Sequence, residues 1–200
     1  GGHTLVQCVT YSGHSPFIIP EESKRISFSD KLPERLRNYM VVANYTDYAI
    51  GQFITFLRSQ KKFENTMIVI TGDHEGFGLT RKPLYEHALG KDIISPERFT
   101  PLIVLNSPVH LRYEKVMGQV DLYPTLLDLL GADDYPWRGL GESILSSGKK
   151  AFAISPQMEI IGDTVGVSTA EIQHAKDAWR VSDLIISCDY FAHGRTGDKK

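Results

Sequence analysis

Apolar and polar positions along the chain alternate in a way that predicts strands separated by helices. Residues 5–11, "LVQCVTY", are strand-like, and the turn-rich "SGHSPF" that follows carries His14 in a loop. From Pro33, the apolar positions Leu36, Tyr39, Met40, Ala43, Ile50, Phe53, Ile54 and Leu57 recur at three- and four-residue spacing, the signature of one helix face. Pro33 suits a first helical turn, and Lys61 and Lys62 fall where cations favour the negative end of the helix dipole. A β-branched run at residues 66–71 predicts the next strand, so strand, long helix and strand together predict a parallel crossover unit. Residues 79–100 form a polar excursion without a strand signal, and "PLIVLNSP" resumes with a buried strand. Asp121 is placed to N-cap "LYPTLLDLL", with Gly131 at the stop. "AFAISP" predicts a further strand, residues 169–179 a helix and residues 183–187 a last strand. The expected fold class is α/β with a mostly parallel sheet flanked by helices.

Within this pattern, "MIVITGDHEGFG" is unusual because a buried-looking strand ends in Asp73, His74 and Glu75. Ligands of open α/β sheets gather at the carboxyl ends of strands. Gly72 permits the change of direction that lets neighbouring side chains face one centre. A carboxylate and an imidazole suit zinc or manganese, whereas magnesium prefers the carboxylate alone. Capping of the following turn by Asp73 beside a solvated His74 accounts for the spacing equally well. His14 is placed to contact an anionic substrate or to protonate a leaving group, against the plainer reading of an exposed loop histidine. Arg81, Lys82 and His87 could bind a phosphate or sulfate, against a solvated loop of mixed charge. Tyr45 and Tyr48 read as core or groove-lining residues.

Composition changes this picture little. With 200 residues and a net charge of −2, the chain can bury a core but carries no basic field for nucleic acid or an anionic membrane. Cys8 and Cys188 are too few for a disulfide framework, and they leave open a single bridge and the redox compartment. No apolar run approaches the roughly 18 residues of a membrane span. The chain enters its first apolar run without a lead-in, and it is expected to be part of a longer protein.

Three stretches carry a resemblance: "NYTDYAIGQFITFLRSQKKFENTMIVITGDHEGFG", "ALGKDIISPERFTPLIVL" and "GQVDLYPTLLDLLG". In their order and spacing they resemble the sulfatase family of the alkaline phosphatase superfamily, closest to the lipoteichoic acid synthase group of phosphoglycerol transferases. The resemblance runs from "VTYSGHSPF" to "LLGADD" and implies an alkaline-phosphatase-like fold of which residues 1–200 form a single, C-terminal part of the catalytic domain. It implies that Asp73 and His74 bind a divalent metal, manganese in the synthase branch, with calcium, magnesium and zinc as alternatives. His14 falls where that branch contacts substrate, the loop bearing Arg81 and His87 lies beside the active site, and Asp121 opens a hallmark helix with a structural role. The implied nucleophile and a further acidic ligand lie upstream. Cys8 does not fit the Cys-x-Pro-x-Arg pattern, so no nucleophile is expected in this chain.

The function expected of the full-length protein is phosphoglycerol transfer or sulfuric ester hydrolysis on a phosphate- or sulfate-ester substrate, lipid- or glycan-linked. A hydroxyl attacks, the leaving alcohol is protonated, and a covalent intermediate passes to water or an acceptor. The implied location is extracytoplasmic or periplasmic, with a membrane anchor upstream. The partner of the fragment is then the N-terminal remainder of the same protein, without which it is expected to be inactive. The competing expectation is a degenerate, non-catalytic domain that binds an anionic glycan or a protein partner.

Overall fold

The computed structural model describes residues 4–74, 76, 99–132 and 134–193. They fall into two compact units, residues 1–106 and 107–200.

Unit 1 is organised by helix α1, Glu34–Arg58, which Pro33 precedes as expected. Its buried residues are Leu36, Val41 and Val42. Val42, only 1% exposed, joins Phe17, Ile19 and Val41 in a core flanked by Phe28, Tyr39 and Tyr45. Full burial of such a side chain contributes about 1.5–3 kcal/mol. The buried stripe therefore lies in the N-terminal half of the helix, and the expected core residue Phe53 is 53% exposed. The polar stretch before α1 is tied along it by Arg25 over the Tyr48 ring, 3.6 Å from its centroid, and by the Asp30–Arg37 ion pair at 2.6 Å.

After α1, strand β1 (Ile68–Thr71) pairs with β2 (Leu102–Leu105) in the register Ile68↔Leu105 to Thr71↔Leu102. The pairing is antiparallel, and a parallel sheet is not shown among the described residues. Thr71, the last residue of β1, faces Leu102, the first of β2, so the intervening chain leaves and returns at one end of the ladder. Parallel neighbours would need a crossover between opposite ends. An apolar run specifies that a segment is a strand, whereas its direction is fixed by its partner. Asn106 anchors the far end: at φ 55° its side-chain amide donates to the carbonyls of Phe63 and Thr66, 2.9 and 3.0 Å away. Residues 5–11 form no strand. Leu5 and Tyr11 are 94% and 84% exposed, and among the described residues no strand lies beside them to complete a crossover with α1 and β1.

Unit 2 is built around Asp121. A 3-10 turn, Gln119–Asp121, feeds helix α2, Leu122–Leu129. Asp121 was expected to cap α2 through its side chain, but its backbone is already helical and the carboxylate makes no bond to that helix. The carboxylate instead accepts the Gly118 N–H at 2.8 Å and the Glu142 N–H at 2.9 Å, and lies 3.0 Å from Lys149 Nζ. Both charged side chains are almost wholly buried. Thr125, 2% exposed, donates its hydroxyl to the Asp121 carbonyl and accepts the Ile144 N–H. Gly141 is required for this seam, because a Cβ there would overlap the Val120 carbonyl.

Strands β3 (Phe152–Ile154) and β4 (Ile160–Gly162) form an antiparallel hairpin whose turn is closed by Ser155. β3 matches the expectation, while β4 was not anticipated. Helix α3, Thr169–Ser187, starts in a capping box in which Ser168 Oγ accepts the Glu171 N–H and Glu171 accepts the Ser168 N–H. It runs through residues 183–187, correcting the last strand expected there. With no glycine or proline between Gly166 and Gly194, nothing in the local chain stops the helix before "LIIS". A one-turn helix α4, Tyr190–His193, follows. Both cysteines are free and exposed.

Asp121→Ala should lower the unfolding free energy by about 3–5 kcal/mol in urea titration, because it strands a buried ammonium and two backbone donors. The Tyr113 hydroxyl, buried without a hydrogen-bond partner among the described residues, ionises above the ordinary tyrosine range, chiefly through burial and secondarily through Asp121 and Glu142. The unfolded chain ionises this phenol near pH 10 while the folded chain resists. Stability should therefore fall as the pH rises past that value, less steeply in Tyr113→Phe.

Candidate active site

Asp73 and His74 follow β1 directly, after the single residue Gly72. A Cβ on Gly72 would press on the Thr100 side chain at 3.3 Å, so the turn packs closely against the entry to β2. Asp73 Oδ1 accepts the N–H of the adjacent His74 at 2.9 Å. Its second oxygen lies 3.7 Å from His74 Nε2, with the two side chains 88% and 69% exposed. One carboxylate oxygen thus takes the neighbouring backbone N–H, and the other faces the imidazole.

The chemistry of this donor pair fits part of a site for a divalent metal. One hard oxygen and one borderline nitrogen match manganese or zinc better than calcium or magnesium, which favour oxygen alone. Among the described residues no group of three His, Cys, Asp or Glu side chains is placed to hold a metal.

His14 sits in a turn closed by its own N–H to the Tyr11 carbonyl at 3.0 Å and by the Phe17 N–H to its carbonyl at 3.1 Å. Its ring stacks on Tyr11, with centroids 6.0 Å apart and planes 11° from parallel. Nδ1 lies 2.7 Å from the Ser15 carbonyl, which can only accept, so Nδ1 carries a proton and Nε2 is left for an outside partner. Phe17, at φ 63° and nearly buried, occupies a backbone region that costs a bulky residue about 1–3 kcal/mol and is held by packing. Tyr39 meets its ring edge-on, with centroids 5.3 Å apart. The same Tyr39 lies against Gly76, where a Cβ would collide with the phenol oxygen. One residue of α1 thereby touches both the segment after His14 and the segment after His74.

Arg81 and His87 lie outside the described residues, as does Glu75. Tyr39 is the site-related residue that spacing did not single out. It belongs to the expected apolar face of α1, and no local pattern distinguishes an aromatic that fills a core from one that bridges two loops.

The profile of the Sulfatase family matches residues 2–132, which include His14, Asp73, His74 and Asp121. This chain belongs to the sulfatase family. Among curated relatives, it is 32% identical over 155 residues to a lipoteichoic acid synthase-like protein, YvgJ, of Bacillus subtilis (strain 168), covering 73% of this chain and 25% of that protein. It is 30% identical over 146 residues to the lipoteichoic acid synthase of Staphylococcus aureus (strain USA300), covering 70% of this chain and 22% of the synthase. The chain therefore spans about a quarter of the length of these relatives. Its α/β class agrees with the family, and the resemblance noted in its motifs is to the right group.

Because Asp73 is so exposed, Asp73→Ala in this sulfatase-family chain should change the unfolding free energy by less than about 1 kcal/mol. Unchanged far-UV circular dichroism and a thermal midpoint within a few degrees would check this. A collapse of the fold would mean that the carboxylate serves structure first.

Proposed function

We propose that this chain is the C-terminal part of the catalytic domain of a metal-dependent enzyme acting on phosphate or sulfate esters, with phosphoglycerol transfer as the preferred activity. The observation that carries this reading is the exposed Asp73–His74 pair at the end of β1, inside the stretch that matches the sulfatase family. The similarity to lipoteichoic acid synthases favours phosphate over sulfate, and transfer over hydrolysis.

In this reading Asp73 and His74 hold manganese, and the remaining donors come from outside the described residues. When bound, the metal supplies Lewis-acid polarisation of the ester oxygens. His14 contacts the substrate through Nε2 while the Ser15 carbonyl fixes its ring. To protonate a departing alkoxide from that atom, the ring must be doubly protonated; when neutral, it can only accept a hydrogen bond there. Arg81 and His87 contribute charge and donors to the anionic ester. The nucleophile lies elsewhere in the full-length protein, so the 200-residue chain alone is inactive. In that larger protein, residues 5–11 and β1 join a mostly parallel, alkaline-phosphatase-like sheet. Its catalytic domain faces the extracytoplasmic side, held to the membrane by an anchor beyond this chain. Among the described residues no helix is long and apolar enough to cross a membrane.

The test uses the full-length protein, stripped of metal and then assayed with added manganese on a glycerophosphate ester and an aryl sulfate. Turnover of the phosphate ester is expected, falling at least about 100-fold in Asp73→Ala and His74→Ala, as loss of a directly acting group would require. Preference for the aryl sulfate would replace transferase with sulfatase. Tight binding of an anionic glycan without turnover would favour the non-catalytic domain instead.

A further inference from the structure

Tyr39 makes two contacts that packing of α1 alone does not call for. Its ring meets the edge of Phe17, whose own N–H is bonded to the His14 carbonyl, so the ring fixes the segment that carries His14. Its phenol end lies against Gly76, two residues beyond His74, so closely that a Cβ there would force the Tyr39 ring to shift. Arg35 lies over the Phe17 ring at 5.7 Å, so Phe17 is held by two side chains of the same helix. Val42, one turn further along α1, is more deeply buried and belongs to the same core.

We infer that Tyr39 is a positioning residue that couples the His14 loop to the Asp73–His74 turn. Through Phe17 it sets where His14 presents Nε2, and through Gly76 it limits where the His74 imidazole can sit. A displacement of its ring is felt by both loops. This inference rests on the proposed metal-binding role of Asp73 and His74.

Manganese titration of the full-length protein, followed by the electron paramagnetic resonance signal of the free ion, reads the effect without activity. Tyr39→Ala should weaken manganese binding about tenfold, the range found when a group supporting a ligand is removed, while Tyr39→Phe should stay within about twofold. Val42→Ala is the control, as it opens a cavity in the same core and should lower the thermal midpoint but leave manganese affinity unchanged. Equal manganese affinity in Tyr39→Ala and Val42→Ala would overturn the inference. Should Tyr39→Ala fail to fold, Gly76→Ala decides: its methyl must displace the phenol, so binding should weaken, and adding Tyr39→Phe should restore part of it. No recovery would overturn the inference. Asp73→Ala separates the two levels, because manganese binding that survives it removes the metal-site reading itself. Binding lost in Asp73→Ala but untouched by Tyr39→Ala removes only the role of Tyr39.

Discussion

Unit 1 depends on one constraint, the burial of the N-terminal half of α1 against the segment that precedes it. Leu36, Val41 and Val42 are its buried residues, and Phe17 and Ile19 pack with Val41 and Val42 from a stretch with almost no regular structure of its own. That stretch is ordered because its apolar side chains have a helix to pack on, and charged contacts such as Arg25 on Tyr48 only trim its path. The same face then extends through Tyr39 toward the turn after β1. Scaffold and site are consequently not separate layers here, since a core helix supplies the contact that links them.

Unit 2 follows a different logic, with a buried ion pair in place of an apolar face. Asp121 and Lys149 leave water together, and the cost is offset only because each carboxylate oxygen also takes a backbone N–H. Such an arrangement is unforgiving of change but exact in geometry, as it fixes Gly118, Glu142 and Lys149 relative to the start of α2. The family motif containing Asp121 is thus explained by what the side chain organises and not by the helix that follows it.

Much of this was legible in the residues. α1 announced itself through Pro33 and its apolar repeats, β1 and β2 through β-branched runs, and the Asp73–His74 pair through its place at a strand end. Direction and partnership were less legible. The antiparallel register of β1 and β2 depends on a contact between segments far apart in sequence, and "LIIS" can extend either a helix or a strand until its neighbours decide. Asp121 beside a helix start looked like a cap because its partners, Glu142 and Lys149, are distant along the chain. Tyr39 was invisible as a bridge for the same reason.

The uncovered run at residues 5–11 bears on handling as well as on fold. Leu5, Val6, Val9 and Tyr11 are each about 80% exposed or more, on a backbone that forms no ladder among the described residues. A β-prone apolar ribbon of this kind is a template for pairing with any other chain that offers a free edge. Expressed without whatever covers it, the domain would be limited first by colloidal behaviour, with oligomers and precipitate forming at concentrations where its folded core is still intact.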